Sequence, residues 1–346
     1  MTRPARPATT ARLAAVLAVA LLAPVGPALA RPAPPDVRPH PGTMSALPSF
    51  VQRVEPAVVG LHVRAAADRP SSARLGARRF GSALVFDSRG YAVTVSYVVL
   101  DAVRIDARLR DGRMVPARVA GLDLDTGLAV VRLEGPGPWP AAELWPSDDL
   151  RPGAITGTVG VDEDGELVHT TTTLESVRRF SAFWEYMLDR ALLLAPSMSS
   201  WGGSAAVDER GRVVGIVSLR LGKAPHVSLA IPAERFLAVK DELVAAGRVL
   251  SRRPRPWIGL YTAARRGRVV VDGFNEAGPA RAAGFRRGDQ IVGVDGVRVT
   301  SQEEFYERLW RRQAGDTIEV AVRRDDRVQL ISVRSIDRHR LHPPPH

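Results

Sequence analysis

Cysteine is absent from this 346-residue sequence. Its absence excludes disulfide bonds, thiolate catalysis and a lipid anchor on an N-terminal cysteine, so folded domains must be stabilised by burial of their cores. A hydrophobic content of 45% over this length is sufficient for two or three such domains. Long hydrophobic runs are also absent after residue 30, which excludes a membrane-spanning helix from that part of the sequence.

Lysine is almost absent, because it occurs only at Lys223 and Lys240, and arginine therefore carries most of the net charge of +11. A basic surface attracts anionic partners such as lipid headgroups, cell-wall polymers or nucleic acid. No basic cluster is interleaved with aromatic residues, so we expect no nucleic-acid binding. We interpret the charge as a solvated, arginine-rich surface, and adhesion to anionic envelope polymers is the alternative.

The first 30 residues have the composition of a secretory signal peptide. Arginines precede an apolar run from Leu13 to Ala23, and Ala28-Leu29-Ala30 offers a small-residue cleavage site. The run is too short to span a bilayer, so we expect an exported protein, periplasmic or secreted, with no transmembrane anchor after cleavage. An uncut N-terminal anchor is the alternative.

A succession of short β-strands is predicted from Val51 onward. Asp111-Gly112 marks a tight hairpin, and further strands are predicted over 166–173 and 192–195. Such a succession without intervening helices favours a barrel or a sandwich. The pattern changes at the end of this stretch, where a single helix is predicted over 232–249.

The C-terminal part has a different pattern, which predicts a compact α+β module. Residues 278–284 predict a one-turn helix with proline near its start and glycine at its end. Ser301 and Glu304 form a capping box for an amphipathic helix that extends to about Arg312.

Several segments resemble the catalytic segments of the HtrA/Deg family of trypsin-like serine proteases. Residues 81–91 and 94–99 resemble the family segment that carries the histidine, 121–130 the aspartate segment and 199–204 the nucleophile segment. The resemblance implies a mostly β fold, with a chymotrypsin-like double β-barrel followed by a C-terminal α+β PDZ domain. The implied organisation is a signal peptide over 1–30, a flexible Pro-rich N-terminus over 31–47, a trypsin-like (HtrA-type) domain over 48–245, a linker over 246–256, a PDZ domain over 257–336 and a polar tail over 337–346.

All three catalytic triad positions of the family are substituted: the histidine position is Tyr97, the aspartate position is Gly127 and the serine position is Trp201. A phenol with a pKa of about 10 is a poor base at neutral pH, glycine cannot orient a base, and an indole carries no nucleophile. The resemblance therefore implies a pseudoprotease with no intact catalytic residue. Because an indole needs on the order of 200 Å² of apolar cover, we expect Trp201 to plug part of the former active site.

A rearranged catalytic site is the alternative. Ser199, Ser200 and Ser204 lie near the nucleophile turn, but no base is evident beside them. The histidines after the signal peptide occupy none of the family's catalytic positions: His40, His62, His169, His226, His339, His342 and His346. The last three hint at metal binding, but a tail provides no fixed geometry, so no metal and no cofactor are predicted.

The PDZ-like module retains the parts that bind peptides. PDZ domains add a peptide C-terminus as a strand to a sheet edge, and backbone amides of an X-Φ-G-Φ loop hold its carboxylate. The tetrapeptide Trp257-Ile258-Gly259-Leu260 matches that loop. Phe305 and Leu309, spaced i and i+4, are predicted to form the facing wall of the groove. The alternative is that Phe305 and Leu309 belong to the core.

These features predict an exported, non-catalytic HtrA-like protein that binds unfolded or C-terminal peptide segments. It would act as a chaperone, an adaptor or a regulator in envelope protein quality control, with an active HtrA-like relative as a further partner. An active HtrA-like serine endopeptidase with a rearranged site is the alternative. The resemblance also implies a homotrimer formed through the protease domain, to which Phe50 would contribute.

Overall fold

The computed structural model describes residues 48–342. The predicted signal peptide and Pro-rich N-terminus lie outside the described residues, as do residues 343–346. Within the described range, no helix is both long and apolar enough to cross a membrane. Two closed β-barrels precede a smaller α+β module, which confirms the mostly β fold class predicted from the sequence.

Six antiparallel strands close the first barrel: β1 (Val58–Ala65), β2 (Arg78–Asp87), β3 (Tyr91–Val95), β4 (Ala102–Arg108), β5 (Met114–Asp123) and β6 (Leu128–Leu133). Their spatial order is β1-β2-β3-β6-β5-β4. The hairpin predicted at Asp111-Gly112 is confirmed, because β4 and β5 pair around it. Gly112 has a φ of 84°, which glycine adopts without steric cost.

The second barrel has the same number of strands: β7 (Ile155–Val161), β8 (Leu167–Ala182), β9 (Tyr186–Ala195), β10 (Ala205–Asp208), β11 (Val213–Leu221) and β12 (Val227–Pro232). Their order is β10-β11-β12-β9-β8-β7. One continuous apolar core runs through both barrels and includes Leu84, Val130 and Ile216, which are fully buried. The turn with the predicted nucleophile position lies between β9 and β10 of this barrel.

The β8–β9 hairpin is much longer than the sequence predicts. Strand pairing continues from Ser176–Leu193 to Ala182–Tyr186, beyond the predicted ends at residues 173 and 192. Part of this extension is exposed and carries charged residues, so its sequence lacks the apolar pattern that predicts a strand. The extension carries the hairpin out of the barrel and against the C-terminal module.

All the helices are short. The first five α-helices lie around the barrels, and the last belongs to the C-terminal module. The single helix predicted over 232–249 is wrong, because Val239 leaves the helical conformation with a φ of −133°. The break allows Phe236 and Leu243 to be fully buried on either side of it. The helices are α1 (Ser49–Val54), α2 (Pro70–Leu75), α3 (Ser96–Val99), α4 (Ala233–Leu237), α5 (Lys240–Ala246) and α6 (Gln302–Leu309), with 3-10 turns at Glu55–Ala57 and Arg338–Leu341.

The C-terminal module is built on one antiparallel sheet in the order β14-β15-β16-β18-β19, with β17 beside β16 and a separate β13–β20 pair. Ser301 caps α6 as predicted, since its hydroxyl accepts a 3.1 Å hydrogen bond from the Glu304 amide, but the helix ends at Leu309. Residues 278–284 form turns rather than the predicted helix. The strands are β13 (Pro256–Trp257), β14 (Leu260–Arg265), β15 (Arg268–Phe274), β16 (Gln290–Val294), β17 (Val297–Arg298), β18 (Thr317–Arg324), β19 (Arg327–Arg334) and β20 (Ile336–Asp337).

The C-terminal residues 337–342 return to the first barrel instead of forming a free tail. The Arg338 guanidinium donates to the carbonyl of Leu124, and the ring of His342 lies 2.8 Å from the carboxylate of Asp101. Each of these contacts satisfies a polar group that is otherwise shielded from water. The module is thereby held against the barrel at its last residues as well as through the hairpin.

Candidate functional site

Tyr97, the predicted counterpart of the family's histidine, lies in α3 and is partly buried. Its hydroxyl donates a 2.8 Å hydrogen bond to the carbonyl of Ser218. Burial raises the pKa of the Tyr97 phenol above its ordinary value. The phenol is thus neutral, and it donates its proton in the hydrogen bond to Ser218. It is therefore unsuitable as a general base.

Trp201, the predicted counterpart of the family's serine, packs against apolar residues of the second barrel. Its partly buried indole contacts a small cluster that includes Leu174 and Leu192, and the Arg220 guanidinium lies 5.7 Å from the ring centroid. The next residue is Gly202, where a Cβ would lie 2.7 Å from the Tyr97 hydroxyl. The two substituted positions are therefore adjacent, and large side chains occupy both of them.

Gly127, the predicted counterpart of the family's aspartate, has a φ of 79°. A residue with a Cβ pays roughly 1–2 kcal/mol for this conformation. A Cβ at this position would also lie 3.3 Å from the Tyr186 hydroxyl, which donates to the Thr126 carbonyl at 2.7 Å. The nearby Asp123 is not a free substitute, since it accepts from the Thr126 hydroxyl and pairs with Arg252 at 2.6 Å.

The candidate displaced nucleophiles lie beside the nucleophile turn without forming a triad-like pair. Ser204 is fully buried and donates a 2.6 Å hydrogen bond to the Ser200 carbonyl, while Ser199 is exposed. Several histidine rings have partners elsewhere: His226 at the Gly222 carbonyl (3.0 Å), His339 at Asp337 (3.2 Å) and His342 at Asp101 (2.8 Å). His62 lies beside Phe80 in the first barrel, with 5.1 Å between ring centroids.

The predicted carboxylate-binding loop, Trp257-Ile258-Gly259-Leu260, connects β13 to β14. Gly259 has a φ of 81°, and a Cβ there would lie 2.7 Å from the Gly278 Cα, so this position requires glycine. The amides of Ile258 and Leu260 point at one acceptor, the carboxylate of Glu185, at 3.1 and 2.7 Å. The loop thus holds a carboxylate, and that carboxylate belongs to the same chain.

Phe305 and Leu309, the predicted wall of the groove, are both fully buried in the apolar cluster of the C-terminal module. This burial fits the alternative that they belong to the core, and their place in the groove wall stays a prediction. The side of α6 that faces β14 is polar. The Gln302 amide donates to the Thr262 carbonyl at 3.0 Å, and the Tyr306 hydroxyl lies 2.9 Å from the Thr262 hydroxyl.

Sequence reasoning did not identify Glu185, Gln302 or Tyr306 as site residues. A signal was present in the aromatic run over 180–186, where Phe180, Phe183, Trp184 and Tyr186 interrupt an otherwise polar stretch. Such a concentration of aromatic residues is typical of contact surfaces. The carboxylate within the run carried no recognisable motif.

Two family models match this chain in the expected order. The model described as "Trypsin-like peptidase domain" matches residues 81–216, and the model described as "PDZ domain" matches residues 256–334. The chain is therefore a protein with a trypsin-like peptidase domain followed by a PDZ domain.

Similar proteins support a more specific assignment. The chain is 27% identical to "Serine endoprotease DegS" of Escherichia coli K12 over 301 residues, which covers 82% of this chain and 83% of that protein. It is 25% identical to "Serine protease Do-like HtrA" of Lactobacillus helveticus over 71% of this chain, and the match spans only 65% of that relative. These relatives, with the two family models, support the HtrA/Deg family for this chain.

Solved structures support the same fold. The "HtrA-type protease AlgW with decapeptide" superimposes with a TM-score of 0.53 and 23% identity, covering 86% of this chain and 98% of that one. The serine endoprotease from Yersinia pestis gives a TM-score of 0.54 and 23% identity, covering 86% and 99%. At this level of identity, the likeness concerns the fold.

Proposed function

We propose that this chain is an exported, non-catalytic HtrA-like protein that binds peptide segments through its PDZ domain. It would act as a chaperone, an adaptor or a regulator in envelope protein quality control. A curated relative from Marinomonas is named "Probable periplasmic serine endoprotease DegP-like", which agrees with a location outside the cytoplasm. Unfolded protein segments and an active HtrA-like relative are the proposed partners, and a homotrimer is the proposed assembly.

The arrangement at the former triad carries this proposal. Tyr97 has its hydroxyl committed to Ser218, Trp201 packs against the second barrel, and Gly127 faces the Tyr186 ring. In subtilisin, loss of the catalytic serine or histidine alone lowers kcat by about 10⁶-fold. Replacement of all three groups should leave no enzyme-like turnover.

The proposed loss of catalysis can be tested on the full chain with a fluorophosphonate probe and a casein-degradation assay. We expect neither labelling nor cleavage above the buffer background, whereas a catalytically intact HtrA-type protease measured in parallel should give both. Labelling of the wild-type protein that disappears in Ser200→Ala or Ser204→Ala would instead support an active endopeptidase with a rearranged site.

Restoring the nucleophile alone should not restore activity. Trp201→Ser introduces a hydroxyl, but Tyr97 and Gly127 still provide neither a base nor a carboxylate to orient one. We expect casein turnover by Trp201→Ser to stay at background. Strong turnover by this single variant would show that another group of the protein acts as the base.

Phe50 is part of the trimer proposal, and in the single chain it already has a partner. A Cβ on Gly157 of β7 would lie only 2.3 Å from the Phe50 ring, so the ring packs directly on the second barrel. Analytical ultracentrifugation of the full chain would determine the assembly, and a monomer at all concentrations would contradict the trimer.

A further inference from the structure

Residues 181–187, which we call the hairpin tip, lie between the barrels and the groove formed by β14 and α6, and residues 181–183 and 185 contact that groove. Within the described residues, β14 pairs with β15 along only one edge in the sheet. At its other edge, the Thr262 amide donates a 2.9 Å hydrogen bond to the Phe183 carbonyl. The main chain of the hairpin tip therefore joins the sheet edge in the way that a bound peptide does.

Glu185 occupies the carboxylate site of this groove. Its two carboxylate oxygens accept from the amides of Ile258 and Leu260 at 3.1 and 2.7 Å, and the residue is 3% exposed. PDZ domains use these loop amides for the terminal carboxylate of a peptide. Here an internal side chain supplies the same chemical group, two residues after the strand contact of Phe183.

The α6 side of the groove binds the hairpin tip through its polar groups. The Tyr306 hydroxyl donates to the Ala182 carbonyl at 2.6 Å and accepts from the Glu185 amide at 3.2 Å. The Ser181 hydroxyl donates to the Gln302 side chain at 3.1 Å. The two Tyr306 bonds satisfy main-chain groups at the turn of the hairpin that would otherwise be buried without partners.

Aromatic contacts cover the remaining side of the hairpin tip. The ring of Phe183 meets that of Tyr261 edge to face, with centroids 5.5 Å apart. The guanidinium of Arg74, from α2 of the first barrel, lies 3.9 Å from the Tyr261 centroid and 5.2 Å from that of Phe183. The groove therefore has a place for an aromatic side chain two residues before the carboxylate.

We propose that the hairpin tip is an internal ligand of the PDZ groove, and that external partners bind by displacing it. The partner class is a protein C-terminus whose free carboxylate replaces that of Glu185 and whose third-to-last residue is aromatic, as Phe183 is. This inference rests on the proposed peptide-binding function for its external partner, whereas occupation by the hairpin tip is independent of that function. Because the tip is tethered, it competes at a high effective concentration.

Amide hydrogen exchange on the full-length wild-type protein tests the occupation directly. The Thr262 amide lies on the outer edge of β14 and the Leu260 amide in the carboxylate loop, so both should exchange slowly while the hairpin tip is bound. In Glu185→Ala, we expect both amides to exchange roughly tenfold faster, because the carboxyl group that binds the hairpin tip to the amides of Ile258 and Leu260 is lost. The amides of β18 should be unchanged, which also shows that the variant is folded.

The matched control is Glu175→Ala, since Glu175 is an exposed glutamate on the same hairpin outside the groove. Exchange at Leu260 and Thr262 should not change in this control. Fast exchange at both amides in the wild-type protein, or no difference between wild type and Glu185→Ala, would overturn the internal ligand.

Displacement is measured with a fluorescein-labelled peptide that has the sequence of residues 179–185 and a free C-terminal carboxylate. We expect Glu185→Ala to bind this peptide roughly tenfold more tightly than wild type, with Glu175→Ala equal to wild type. Equal affinity in all three proteins would overturn the competition. Faster exchange in Glu185→Ala with no peptide binding would keep the internal ligand and reject the proposed peptide-binding function instead.

Discussion

At the residue scale, Glu185 lies among groups that change its pKa in opposite directions. Burial is the largest effect and raises the pKa, whereas the loop amides and the Arg338 guanidinium lower it. The net result is a pKa of about 7. The phenols of Tyr261 and Tyr306 also face it, and burial raises the pKa of each, so neither is charged near neutral pH. When the hairpin tip leaves the groove, we expect the pKa of Glu185 to return toward its ordinary value.

Release of the hairpin tip should therefore depend on pH. The pKa of Glu185 is about 7 in the groove against an ordinary 4.5, so docking is most favourable below 4.5 and weakens as the pH rises through 7. Between pH 6 and pH 8, we expect roughly tenfold weaker docking and correspondingly tighter binding of the labelled peptide. Fluorescence anisotropy at the two pH values measures this, and Glu185→Gln should remove the dependence. Equal affinity at both pH values in the wild-type protein would contradict it.

At the scale of elements, α6 and the β8–β9 hairpin depend on each other through Tyr306. Its hydroxyl bonds to Ala182, Glu185 and Thr262, so Tyr306→Phe removes several contacts and leaves the Ala182 carbonyl without this donor. Docking of the hairpin should weaken by about 1–3 kcal/mol. Faster exchange of the Thr262 amide would report this change, while Tyr91→Phe in the first barrel is the control. Unchanged exchange would show that the hydroxyl does not hold the hairpin.

Comparison of the turns, helices and strands with the structure shows what could be predicted from the sequence. The Asp111-Gly112 turn and the Ser301 cap depend on local chemistry, and both predictions are confirmed. The length of β8 and β9 depends on packing against a distant domain, which a local pattern does not record. Phe305 and Leu309 have the spacing of an apolar face, but the spacing does not state whether that face meets a ligand or the sheet.

The candidate site, too, could be predicted from the sequence only in part. The motif resemblance located Tyr97, Gly127 and Trp201 as substituted positions, and that assignment remains a prediction. What no motif indicates is the side chain that enters a vacated position: Tyr186, which faces Gly127, comes from a hairpin about sixty residues away along the chain. Such contacts require knowledge of the fold.

At the scale of the whole molecule, residues 338–342 hold the C-terminal module against the first barrel. Arg338 and His342 contact Leu124 and Asp101, close to where Arg252 of the linker pairs with Asp123. Deleting residues 338–346 should expose the linker, so we expect tryptic cleavage after Arg252 to become several-fold faster. Deleting only residues 343–346 is the control and should leave the rate unchanged. Equal rates for both deletions would show that these contacts do not hold the module.

The stacking of Trp184 on Tyr186, with ring centroids 5.8 Å apart, joins two remote parts of the protein. On one side of this pair lies Glu185 with its amide ligands, and on the other the Tyr186 hydroxyl beside Gly127. Trp184 is partly buried against the core of the barrels, so displacement of the tip would change the polarity around its indole and shift the emission spectrum of the unlabelled protein when a partner binds. The part of this shift that comes from Trp184 should be absent in Trp184→Phe, whereas Trp310, which stacks on Tyr306, would still respond.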